Sequence, residues 1–158
     1  MKLEHGEAFN AAVAGLQRKF RAIQRGAVNN DGGLSKDEIA SDIHGAIAEC
    51  LVAKTLGLYC NFASPDRSLA DVGGNIEVRS TPHKNGSLVV RPRDKDDRKY
   101  YLVAGIYPNI RIIGWKLGIE CKEKRFWIST DKEGKPLEYP FWLVPQHELN
   151  TELFEITL

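Results

Sequence analysis

The chain has 158 residues, 42% of them hydrophobic and 27% charged, with a formal net charge of +1. That is an ordinary globular composition, and the length allows about 68–70% of the unfolded surface to be buried around one sizeable core, not two. The near-neutral balance excludes a protein that coats nucleic acid through bulk electrostatics, and no apolar run approaches the roughly 20 residues of a membrane span.

The first predicted element is a helix over residues 4–27. Phe9, Val13, Leu16, Phe20, Ile23 and Ala27 recur at three and four residues and make one apolar face. Arg18, Arg21 and Arg25 lie on the opposite side, where they are either solvated or positioned to meet phosphates. The Asn-Asp-Gly-Gly stretch within 28–33 predicts a loop.

A second helix is predicted over 35–56, opened by Ser35 with Glu38 three residues on as a capping box and closed by Gly57. Ile39, Ile43, Ala46, Ile47, Cys50 and Leu51 form one stripe, while Ala48, Val52, Ala53 and Leu56 cover much of the rest, so this helix is expected to be buried on more than one side. Glu49 falls in that setting with Gly45, Ala46, Val52 and Ala53 at the positions where helix ion pairs form. A carboxylate in apolar surroundings must be neutralised. Either a distant Arg or water at a helix edge meets Glu49, or it belongs to a metal site. His44, a turn and a half earlier, reads as a partly buried helix residue.

The segment Asp71-Val-Gly-Gly-Asn-Ile-Glu77-Val-Arg79 carries the functional signal. Its glycines suit a tight turn, and the residues that follow alternate apolar and charged with the period of a strand. Ile76 and Val78 are expected to face the core, with Glu77 and Arg79 on the opposite face and Asp71 alongside from the other arm of the turn. Two carboxylates beside a fixed cation suit Mg²⁺ or Mn²⁺, a hard ion that polarises a phosphate and acidifies an attacking water. Arg79 would engage the scissile phosphate, since a guanidinium stays protonated and cannot act as a general base. The alternative is a solvated hairpin face with a surface ion pair.

Further along, 88–90 reads as a short strand, 91–99 as a charged segment, 100–106 as a strong strand and 110–117 as another. Around Phe126-Trp127-Ile128 the pattern weakens. The Pro-punctuated tail 136–158 is expected to wrap the domain in short extended pieces with one turn of helix near His147. Cys50, Cys60 and Cys121 are odd in number and form no CxxC pair, and the four histidines are scattered, so neither a disulfide framework nor a zinc knuckle is indicated.

A Glu late in an N-terminal helix, then an Asp, a short turn and Glu-x-Lys on the next strand is the layout of the restriction-endonuclease-like superfamily, the PD-(D/E)xK nucleases, which includes archaeal Holliday-junction resolvases. This chain resembles that family over roughly residues 35–113, through Glu49, Asp71, Glu77 and, at the Lys position, Arg79. The resemblance implies an α/β fold with a central mixed β-sheet flanked by helices, and a Mg²⁺- or Mn²⁺-dependent endonuclease acting on DNA. It implies metal at Asp71, Glu77, Glu49 and the Val78 carbonyl. Two departures stand out: Arg79 replaces the Lys, and no Pro precedes Asp71. A weakened nuclease, or a nuclease-fold module that only binds nucleic acid or a protein, is the alternative they raise.

Local charge fits a DNA partner better than net charge does. Between Arg79 and Lys99 there are seven Lys or Arg against three Asp, among them Lys84, Arg91 and Arg93 as candidate DNA contacts. Lys116, Lys122, Lys124 and Arg125 form a second basic cluster near Trp115 and Trp127. The expectation is one domain over 1–158: a helix and loop over 1–34, a nuclease core over 35–113 and a C-terminal extension over 114–158. The N-terminus has no signal-peptide core, so the protein is expected to be cytoplasmic, without a membrane partner. Cutting both strands of a duplex would call for a homodimer or sequential nicking.

Overall fold

The computed structural model describes residues 1–25, 36–60 and 69–152. Its architecture is α/β: two N-terminal helices, a mixed three-stranded sheet and a second, antiparallel three-stranded sheet. Helix α1 (His5–Gln24) lies against helix α2 (Lys36–Leu56), which covers one face of the first sheet. The expected Ser35 cap and Ala27 lie outside the described residues. Among those described, no helix is long and apolar enough to cross a membrane.

The first sheet has the order β1 (Ile76–Thr81), β3 (Lys99–Ala104), β4 (Arg111–Leu117), with β1 parallel and β4 antiparallel to β3. Strand β3 explains the stacking. Tyr101 and Val103 pack with Ala48, Leu51 and Val52 of α2, while Tyr100 and Leu102 enter a second core with Leu88, Val90, Phe126 and Val144. A strand buried on both faces reads as a continuous apolar run, which is why Tyr-Tyr-Leu-Val-Ala stood out as a strong strand.

The second sheet corrects the sequence reading. The described part of the tail does not open as short wrapping pieces; β5 (Trp127–Thr130) and the nine-residue β6 (Pro136–Val144) pair with β2 (Leu88–Val90) in the order β2-β6-β5, and residues 153–158 lie outside the described residues. Pro140 disguised β6, because a proline removes a ladder donor and argues against a central strand. Here it sits opposite the register shift between Ile128 and Thr130, and β2 pairs only with Trp142, Leu143 and Val144. At Pro140 the ladder is already interrupted, so no donor is missed. The brief helical turn near His147 is present as Gln146–Glu148.

The α1–α2 contact also differs from expectation. The face that packs on α2 carries Ala8, Ala11, Gly15 and Lys19, while Phe9, Val13, Phe20 and Ile23 are exposed. Small side chains bring the two backbones close, and ion pairs close the edges: Lys19 reaches Glu38 at 3.4 Å and Asp42 at 3.6 Å, and Lys54 reaches Glu7 at 2.6 Å. A Cβ on Gly15 would stand 2.6 Å from the Asp42 carbonyl oxygen and 3.0 Å from Ile43 Cα. Gly15→Ala therefore sets two effects against each other: a helix-propensity gain of about 1 kcal/mol and an overpacking cost of about 1–3 kcal/mol. The obstructing atoms are backbone, so packing wins, and a lowered denaturant midpoint is expected. A raised midpoint would mean that the helices separate freely.

Candidate functional site

Asp71 and Glu77 are brought together by the turn between them. Val72 and Ile76 exchange backbone hydrogen bonds of 3.1 and 3.3 Å, and Gly73 takes φ +57°, the left-handed conformation that glycine adopts without strain. Ile76 and Val78 are buried, while Glu77 and Arg79 are half-buried, the alternation expected of this strand. The Asp71 carboxylate folds back so that Oδ2 accepts a hydrogen bond from the Val78 N–H at 2.8 Å. That bond fixes one oxygen in orientation. Among the described residues no ion pair engages Asp71.

Glu49 reaches the same place from α2. It is only 6% exposed, and its neutralising partner is Arg18 of α1, whose guanidinium donates to both carboxylate oxygens at 2.9–3.0 Å. The distant-Arg reading of Glu49 is thus correct in its contact, and Arg18 is neither a solvated nor a phosphate-facing side chain. Burial pushes the Glu49 carboxyl up from 4.5 to about 7, the negative charge of Asp71 adds to this, and Arg18 only partly offsets it. Glu77 contributes in the same direction. Glu49, Asp71 and Glu77 therefore lie near enough to sense one another's charge.

Glu77 is also raised, by burial first and then by Asp71, against the pull of Arg98 and Arg79. The buried Arg98 hydrogen bonds to Glu77 Oε1, and Arg79 Nη1 stands 3.5 Å from Oε2. Arg79 is held on a second side by Asp94, at 3.0 Å, and its guanidinium lies over the Tyr100 ring, 5.3 Å from the centroid. Burial alone would ease the proton off Arg79; the surrounding carboxylates, Asp94 first, outweigh it and keep the guanidinium charged.

Two residues that sequence reasoning passed over organise this network. Asp94 accepts from both Arg79 and the Arg91 backbone N–H, the latter at 2.9 Å, tying the turn that carries Arg91 and Arg93 to the motif strand. Both of those arginines are exposed, as is Lys84 in the loop after β1. Arg98 was hidden in a charged run, and only its position next to a strong strand marked it as inward-facing. His44 is a packing residue: its ring nitrogens meet Ser80 Oγ at 3.0 Å and the Gly105 carbonyl at 2.7 Å, joining α2 to the sheet. The second basic cluster is largely committed within the chain. Lys122 meets Asp96 at 2.6 Å, Lys116 meets the Glu148 carbonyl at 3.2 Å, and Arg125 pairs with Glu123 and Glu148.

The donor chemistry of Glu49, Asp71, Glu77 and the Val78 carbonyl is all hard oxygen, which fits Mg²⁺ or Mn²⁺. Their arrangement is looser than a preformed metal cage: among the described residues, no three His, Cys, Asp or Glu side chains are gathered closely enough to hold an ion. Guanidinium groups neutralise two of the three acids, so cation binding there would compete with Arg18 at Glu49 and Arg98 at Glu77. No protein-family model matches the chain, and neither a curated protein nor a solved structure matches it.

Proposed function

We propose that this protein is a metal-dependent nuclease that hydrolyses phosphodiester bonds in DNA. The observation carrying this reading is the approach of Glu49, Asp71 and Glu77 from a helix, a turn and a strand, near enough to sense one another's charge, with Asp71 oriented by the Val78 N–H and engaged in no direct ion pair among the described residues. Acids that raise one another's proton affinity are costly in a fold unless a cation is to join them. Asp71 and Glu77 would hold Mg²⁺ or Mn²⁺, with the Val78 carbonyl and Glu49 completing or orienting the set. When bound, the ion would polarise the scissile phosphate and lower the pKa of a water. Arg79, kept charged by Asp94 and Glu77, would hold the phosphate and offset its growing negative charge. Arg91, Arg93 and Lys84 would steer the DNA backbone.

A second reading is favoured by one observation: Arg79, where the family carries Lys, is already committed to Asp94 and Tyr100. On that reading the fold binds nucleic acid or a protein without cutting. The test is incubation of the protein with supercoiled, linear, single-stranded and four-way-junction DNA in Mn²⁺ and in Mg²⁺, beside Glu77→Gln. Cleavage by the wild type that falls at least about a hundredfold in the variant is expected, as for loss of a metal ligand. Salt-sensitive binding with no turnover in either ion would transfer the assignment to the binding module.

A further inference from the structure

Among the described residues, none covers the apolar face of α1. Phe9, Val13, Phe20 and Ile23 are 61%, 37%, 53% and 42% exposed, and Leu16 between them is half-buried. Their spacing of four, three, four and three residues is the seam of a heptad repeat, the pattern that pairs one helix with another. An adjacent face of the same helix is already spent on α2 through Ala8, Ala11 and Gly15.

We infer that this face of α1 docks on the same face of a second copy of the chain, making the protein a homodimer through paired α1 helices. Charge decides the occupant. One flank of the seam carries Asn10, Gln17 and Gln24, the other Ala12 and Lys19, and Lys19 is turned to Glu38 and Asp42. Two identical surfaces of this kind meet without like-charge opposition, and their amides can hydrogen bond to one another. A charged partner would call for charged flanks, and a membrane surface for Lys and Arg beside the apolar face. Here Arg21 and Arg25 are set back from the seam, and Arg18 is held by Glu49.

Area sets the strength. A Phe carries about 150–250 Å², so Phe9 and Phe20 each leave on the order of 100 Å² in water. With Val13 and Ile23 the apolar patch comes to several hundred Å² per copy, short of the roughly 800 Å² per partner of a standard interface. The dimer is therefore a weak one whose population depends on concentration. The inference stands apart from the nuclease reading; if both hold, two sites would act on one duplex.

Sedimentation equilibrium over a hundredfold concentration range tests it. The wild-type mass is expected to climb from 17.7 kDa toward twice that value. Phe20→Glu and Phe9→Glu are each expected to stay monomeric at every concentration, with far-ultraviolet circular dichroism and the melting temperature of the dilute protein unchanged. A wild type that remains monomeric, or a dimer that survives both substitutions, would overturn the proposal. So would dilute variants that melt below the dilute wild type, because the chain's own residues would then be what the face supports.

Discussion

Arg18→Met is expected to destabilise the protein by an amount that grows with pH. Met keeps much of the apolar stem and removes the guanidinium, leaving Glu49 buried without its bidentate partner. A buried charge stripped of its partner costs about 3–5 kcal/mol, but a carboxyl has a second course, which is to take up a proton. In the wild type Glu49 titrates near 7 against an ordinary 4.5. Between those values the folded state holds a proton that the unfolded state has released, so stability falls as pH rises. The slope is about 1.4 kcal/mol per unit, and it flattens above 7, where both states are ionised. Without Arg18 the carboxyl should stay protonated to higher pH, and the decline should continue. Denaturant midpoints at pH 5, 6, 7, 8 and 9 should therefore show curves that diverge above pH 7, by on the order of 2–3 kcal/mol at the top of the range. Adding Glu49→Gln to Arg18→Met should remove the divergence. Parallel curves for wild type and Arg18→Met would show that something other than Arg18 carries the Glu49 charge.

The pair also illustrates what was legible in the sequence. Glu49 stood out because its helix neighbours offered it nothing, and a single sequence supports that inference because it rests on local spacing. Its partner was out of reach, since Arg18 is 31 positions away and looks like any outer-face arginine. The alternation from Ile76 to Arg79 and the double-sided burial of β3 followed from strand period. Strand β6 did not, because its proline is harmless only in the register of the second sheet. The least legible feature was α1: two stripes run along it, one large and apolar, the other of Ala8, Ala11 and Gly15, and hydrophobicity alone points to the wrong one. Close backbone approach combined with ion pairs at Lys19 and Lys54 chose the small stripe. The three acids were named from sequence, whereas the guanidinium groups that neutralise two of them were fixed by tertiary contacts.

Asp71→Asn separates the chemistry of the site from its architecture. Asn keeps a side-chain oxygen that can accept the Val78 N–H, so the turn and the entry into β1 should be retained. The substitution removes a charge that raises the proton affinity of both Glu49 and Glu77. Relief of that repulsion should leave stability in the absence of divalent ions equal to the wild type or higher by about 1 kcal/mol near pH 8. On the proposed nuclease reading, cleavage should in contrast fall by at least about a hundredfold, because the lost group is the one acid of the three without a direct ion pair among the described residues and so the one most open to a metal ion. Asp71→Ala is the companion. It removes the same charge but also leaves the Val78 N–H without its acceptor, which costs about 1–3 kcal/mol in a buried setting. The expected pattern is thus two inactive proteins, of which only the Ala variant melts early. Were Asp71→Asn to lose stability as Ala does, the carboxylate charge itself would be holding the turn, and Asp71 would be a structural acid. Were Asp71→Asn to cut DNA at the wild-type rate, Asp71 would have no part in catalysis, and the site built around it as the metal-receiving acid would fall.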